Sequence, residues 1–234
     1  PEGGNPTKPT PKPEEPVITP KPATPVPEDP VVTPEPTPLP EIVDTIDGNG
    51  KTDEELNKDL TDKFKELEEE NPKGASAVVV IENTDNVSFN LDLNDNQFIK
   101  PQEGATVQFN GGNLNLVLPG EVTVVMSKEG ESDLAIKGEG KIELDFKDGG
   151  QNPTSLSLSK KSQINGTVEI TVPTDVSTFS IDAVELDSKS AISVKKKDSG
   201  DSVTFTIKDV TARPSAAASL SNVVIENTLK VVQT

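Results

Sequence analysis

"TDEELNKDLTDKFKELEEEN", Thr52 to Asn71, is the one stretch of this chain with clear helical periodicity. Leu56, Leu60, Phe64 and Leu67 recur at spacings of four, four and three, which draws a single apolar stripe along a helix. Thr52 is placed to cap the N-terminus, and Glu55 completes a capping box. Asn71-Pro72 ends the helix. The opposite face is charged and suits water. A lone helix of this length is marginal, so its stripe must cover other apolar surface.

The C-terminal two thirds of the chain supply that surface. From Ala75 onward the period switches to two. "VSFNLDL" sets Val87, Phe89, Leu91 and Leu93 on one face, with Ser88, Asn90 and Asp92 on the other. The same alternation places Leu114, Leu116 and Leu118 together, then Ile142, Leu144 and Phe146, then Val168, Ile170 and Val172, then Val203, Phe205 and Ile207. These are half-buried strands, separated by turn pieces such as "NGG", "KDGGQNP" and "KKKDSGDS". No second helical pattern interrupts them, so the class is all-β after one helix.

Two architectures fit such strands: an antiparallel β-sandwich and a single-stranded β-solenoid. Short strands, polar corners and above all the helix favour the solenoid, with the sandwich as the alternative. A solenoid exposes apolar core and unpaired backbone at its open end, and an amphipathic helix is a suitable cap. The expectation is therefore an acidic turn and cap helix over residues 42–73, followed by an all-β solenoid over 74–234. The six residues VVIENT occur at Val79–Thr84 and again at Val223–Thr228. They are read as one coil position met twice, with Asn83 and Asn227 at its corners, because Asn tolerates left-handed backbone.

Residues 1–41 differ in kind. They hold 15 of the 21 prolines, mixed with Thr, Val, Glu and Lys. Proline fixes φ and disfavours helix before it, so the segment reads as a disordered, polyproline-like stalk. At about 3.1 Å per residue it reaches on the order of 100 Å. The chain does not begin with Met and is read as a processed form.

Composition narrows the chemistry. The net charge is −18, from 40 acidic and 22 basic residues, which disfavours nucleic acid and anionic membranes. There is no Cys or His, so thiolate chemistry and the commonest general base are missing. No apolar run is long enough to span a bilayer. Paired carboxylates alone can hydrolyse a glycoside, but 40 acids make pairs uninformative, and the sugar-stacking residues Trp and Tyr are absent. Phe89, Phe109, Phe146 and Phe205 share the apolar faces of their strands and read as core. Arg213, the sole arginine, has no basic partner nearby in sequence for lyase chemistry. The chain reads as a non-enzyme.

Two acidic loops are calcium candidates, the one cofactor the sequence suggests. In "DTIDGNGKTDEE", Asp47, Asn49 and Asp53 suit loop positions of an EF-hand, while Thr45 and Leu56 occupy the positions that want Asp and Glu. The plainer reading is an acidic turn before a capped helix. In "LDLNDNQ", Asp92, Asn94 and Asp95 form an oxygen-rich corner, or a simple turn. Lys160-Lys161 and Lys195–Lys197 are short basic runs, either solvated turns or contacts for an acidic partner.

The polar alternating strands, the absence of Cys and the proline-rich stalk resemble bacterial β-helical surface adhesins, such as autotransporter passengers, over residues 42–234. The start, "PEGGNPTKP", resembles the segment after the lipidated cysteine of bacterial surface lipoproteins. The resemblance implies an extracellular, cell-surface protein that binds a surface glycan or a host or neighbour protein. The alternative is a structural subunit of a surface layer, filament or pilus, in which the partner is another copy. Few aromatic residues mean that a glycan would be held by hydrogen bonds or bridging calcium.

Overall fold

The computed structural model describes residues 39–126, 132–147, 153–199, 201, 203–220 and 222–232. The proline-rich stalk lies outside the described residues up to residue 38.

The chain winds into a β-solenoid. Its strands are β1 (Glu41–Asp47), β2 (Ser76–Glu82), β3 (Asn86–Phe89), β4 (Gln97–Lys100), β5 (Thr106–Phe109), β6 (Gly112–Val117) and β7 (Glu121–Met126). They continue as β8 (Ser132–Phe146), β9 (Ser155–Val172), β10 (Thr178–Leu186), β11 (Ala191–Lys196), β12 (Thr204–Ala212) and β13 (Val223–Val231). Helix α1 (Asp53–Glu70) follows β1, and α2 (Pro214–Ser219) precedes β13. Every strand pairing among the described residues is parallel. That pattern belongs to stacked coils and sets aside the antiparallel sandwich.

Two parallel ladders build the stack, the first from β1 to β13 and the second from β3 to β11. The first is β1-β2-β4-β6-β8-β9-β10-β12-β13. The second takes β3, β5, β7, the C-terminal halves of β8 and β9, and β11. The coils from β2 to β11 thus contribute one stretch to each face, and β12 and β13 extend the first ladder alone. Like residues stack on like in the interior: Phe89 lies opposite Phe109, which lies opposite Met126 and then Phe146. Phe179 and Phe205 stack in the same way, with ring centroids 5.7 Å apart. Parallel in-register coils make this inevitable, since each inward side chain meets its counterpart one coil away.

Helix α1 caps the N-terminal end as its stripe requires. Leu56, Leu60, Phe64 and Leu67 are buried in the common core. The capping box is formed, with Glu55 N–H donating to Thr52 Oγ1 and Thr52 N–H donating to Glu55 Oε2. The ladder starts earlier than the alternation indicated, at β1. There Ile42 and Ile46 pack inward, and Asp44, which shares their parity, breaks the apolar pattern.

Three sequence expectations change. "VSFNLDL" is not one strand: β3 stops at Phe89 and residues 90–96 form a corner, although Leu93 is still buried. A second helix exists, α2, with Pro214 in its first turn; at six residues it is too short to show a period. The two VVIENT segments do not share a coil position. Val79 pairs with Ile99, Ile99 with Leu116, and Leu116 with Ile136. Ile136 N–H then bonds Ser162 Oγ, and Ser162 continues through Val184 and Val210 to Leu229, not to Val223. Asn83 does turn a corner, with φ of 58°, but Asn227 lies within β13, and the left-handed residue before the second copy is Asn222.

A groove on the outer face of the first ladder

Outward-facing side chains of a solenoid sheet are ordinarily exposed, yet one outward column of the first ladder is buried. Val78 pairs with Phe98, and Asn115 pairs with Ala135. These four are only 3%, 8%, 1% and 3% exposed. The corner after Leu93 folds over them from one side and the bend of β9 from the other. Between these walls lies a groove of about 440 Å³, with Phe98, Asn115 and Ala135 on its floor and Asp95, Asn96, Ser159, Lys160, Lys161 and Gln163 around it.

Asn115 holds the first wall. Its amide nitrogen donates to the carbonyls of Asn94 (2.7 Å) and Gln97 (2.8 Å). Two acceptor partners fix the orientation of the amide, so Oδ1 must point away from them. That oxygen is buried and has no hydrogen-bond partner among the described residues. An orphaned buried acceptor costs on the order of 1–3 kcal/mol.

Lys160 forms the second wall. β9 and β10 slip register between the Leu158–Ile181 and Lys161–Ala183 pairs, so Ser159 and Lys160 stand against Asp182 alone. The extra residue makes the bend that turns Lys160 back across the groove. Its ammonium ion-pairs with Asp95 at 3.0 Å and lies 3.5 Å from the Leu93 carbonyl. Its side chain is only 13% exposed, against 86% for Asp95. Lys161 pairs with Glu185 at 2.7 Å.

A second hollow of about 320 Å³ continues along the same face from Gln163, which both share, past Lys137 and Glu185 to Asp187 and Arg213. Lys137 lies between the two, its ammonium 5.0 Å from the Phe98 ring centroid and paired with Glu41 of β1. Arg213 thus lines one hollow with Lys137, Glu185 and Asp187, a grouping that its sequence position does not reveal. It makes no ion pair among the described residues.

Most of the calcium candidates are engaged with protein partners. Asp47 Oδ1 accepts from Asn49 N–H and the Asn83 amide, both at 3.0 Å, and these bonds hold its carboxyl below the ordinary range. Asp53 Oδ1 accepts from Ser88 N–H at 3.1 Å. Asp92 Oδ1 accepts from the backbone and side chain of Asn113. Asn94 Oδ1 accepts from Asn96 N–H, and Asp95 holds Lys160. Among the described residues no three His, Cys, Asp or Glu side chains come together as a metal site.

Lys195 and Lys197 of the other basic run pair with Glu169 (2.5 Å) and Glu143 (2.6 Å) along the second face. Phe89, Phe109 and Phe205 are core as expected, with Phe146 partly buried. Phe98, Asn115 and Lys160 are the groove residues that sequence reasoning missed as a group. The available signal was adjacency: Val78-Val79-Val80 and Phe98-Ile99 put apolar residues on both faces of a strand, which marks a sheet covered on both sides. No protein family, characterised protein or solved structure matches this chain.

Proposed function

We propose that this chain is a non-enzymatic binding module of a bacterial cell surface, displayed on its proline-rich tether, and that it holds a hydroxyl-rich glycan along the outer-face groove. The observation that carries the reading is the covered column at Phe98, Asn115 and Ala135, an apolar and amide floor ringed by Lys160, Lys161, Gln163 and Asp95. Polar groups of both hydrogen-bonding senses converge there, as an uncharged polyol requires. The continuation past Gln163 suits an extended chain of sugars rather than a single one. Asn115 Oδ1 is an acceptor that an entering hydroxyl satisfies when Lys160 swings out, and Lys160 is tethered mainly to the exposed Asp95.

A second reading, a structural subunit of a surface assembly, draws on the outer edge of β13, which has no partner strand among the described residues.

The test is a glycan array and a panel of matrix proteins probed with the full chain, with calcium and with chelator, beside Lys160→Ala and Phe98→Ala. Specific glycan binding that both substitutions abolish supports the groove. Binding that survives both places the site elsewhere, and loss in chelator makes bridging calcium part of it. Silence across both panels, with a chain shown folded by circular dichroism, moves the weight to the structural reading.

A further inference from the structure

The two ends of the solenoid are finished differently. At the N-terminal end α1 buries its stripe on the core and bonds the edge of β3. At the other end β13 pairs with β12 and with no other strand among the described residues. Val224, Leu229 and Val231 on β13 are 54%, 46% and 47% exposed, three of the five large apolar side chains left open among the described residues. An open, apolar edge is a template for another strand, and this one slips register against β12 where Glu226 and Asn227 stand against Lys208 alone.

The order of residues along that edge says which strand. From Val224 to Val232 it runs Val-Ile-Glu-Asn-Thr-Leu-Lys-Val-Val. About Thr228 this segment is complementary to itself when reversed, except that Asn227 falls opposite Leu229. An antiparallel pair centred on Thr228 sets Glu226 of one copy opposite Lys230 of the other, twice over, and sets Val224 opposite Val232 and Ile225 opposite Val231. Residues paired this way share parity, so each pair falls on one face of the joined sheet. Lys230 makes no ion pair among the described residues. We propose that β13 is a dimerisation edge, and that two copies of this chain join through antiparallel β13–β13 pairing about a two-fold axis at Thr228.

The competing arrangement, head-to-tail stacking of β13 on β1, is opposed by the same registers. The column that ends at Leu229 begins at Asp44, so continuing the solenoid into a second copy seats Leu229 against a carboxylate. A two-fold pair also closes, whereas head-to-tail stacking runs on into a filament. The inference rests on the edge alone and stands or falls separately from the glycan groove.

Sedimentation velocity on the full chain, over a range of concentrations, tests it with three charge variants at exposed positions. The wild type is expected to dimerise and stop there. Glu226→Lys and Lys230→Glu each turn two attractive pairs into two repulsive ones and should raise the dimer dissociation constant about tenfold or more. The double reversal, E226K/K230E, should restore the dimer. A wild-type monomer at the highest soluble concentration overturns the proposal. So do an open-ended polymer, a dimer indifferent to either single reversal, and a double reversal that stays monomeric.

Discussion

Asp53 on the first turn of α1 accepts a hydrogen bond from the backbone N–H of Ser88, 3.1 Å away on β3. Asn57, one turn on, donates to the Ser88 carbonyl at 2.7 Å and accepts from Asn90 N–H at 3.0 Å. Two helix side chains thereby perform the bonding that a neighbouring strand would perform. The cap does two jobs: its stripe covers the core, and its polar margin satisfies the first edge of the second ladder.

That division predicts separable effects. Asn57→Ala leaves the stripe intact but orphans Ser88 C=O and Asn90 N–H at the edge. The expected cost is about 0.5–1.5 kcal/mol in urea unfolding. Because an unbonded edge recruits other strands, light scattering should also rise near the unfolding midpoint. Unchanged stability and scattering would show that water serves this edge as well as the helix does.

Asn115 predicts an effect whose size depends on pH. In Asn115→Asp a carboxylate replaces the amide that donates to the Asn94 and Gln97 carbonyls. Buried against two carbonyls, the new carboxyl should have its pKa raised in the folded state. Stability is then kept below the unfolded value and lost as pH rises through the folded one. The variant should lose about 3 kcal/mol or more at pH 7 and recover part of it near pH 4. Asn115→Leu, which lacks a titrating group, should show no such recovery. Parallel pH profiles for the two variants would contradict the donor role.

The features legible in the sequence are those that depend on local pattern. The cap helix was readable because Leu56, Leu60, Phe64 and Leu67 obey one local period, and Thr52 and Glu55 cap within four residues. The strands were readable because inward residues such as Val168, Ile170 and Val172 alternate. Register was not. Whether Val79 shares a column with Val223 or Leu229 depends on coil lengths summed over every intervening turn. The groove was hidden for the same reason. Asn115 looks like any outward polar residue of "NLNLVL" until the corner at 93–97 folds over it, and Lys160 reaches that corner from 67 residues away. Each contact needs two distant segments placed side by side by the winding, and no local pattern encodes that.

Glycine corners predict a graded series. Gly140 has φ of 143°, and a Cβ there would run into the backbone carbonyl of Gly120 one coil below. Neither atom belongs to a side chain that can turn away. Gly50 also has positive φ, at 70°, but a Cβ there meets nothing within 4 Å. Gly50→Ala should therefore cost only the left-handed backbone penalty, about 1–2 kcal/mol. Gly140→Ala adds a steric clash between coils and should cost more, with the two coils forced apart. Differential scanning calorimetry of both variants checks the order, and equal costs would mean that the coils slide to make room.

The N-terminal turn predicts a pH dependence of the cap. Glu55 accepts from Thr52 N–H at 2.9 Å, and this bond, followed by one from the Thr52 hydroxyl, holds its carboxyl below the ordinary 4.5. Asp44 is lowered too, first by Thr45 N–H and then by Lys63. A carboxyl whose folded pKa is depressed stabilises the fold fully above its unfolded value and stops doing so as pH falls through the folded one. Glu55→Gln removes the charge at every pH. Its urea midpoint should therefore lie below that of the wild type at pH 7, and the gap should close as the pH drops beneath about 4.5 and Glu55 itself becomes neutral. Thr52→Ala, which deletes the hydroxyl cap rather than the charge, should cost about 1 kcal/mol and keep that cost at low pH. If the Glu55→Gln gap stayed constant down to pH 3, the Thr52 bonds would be acting as dipoles alone, and the carboxylate charge would contribute nothing to the cap.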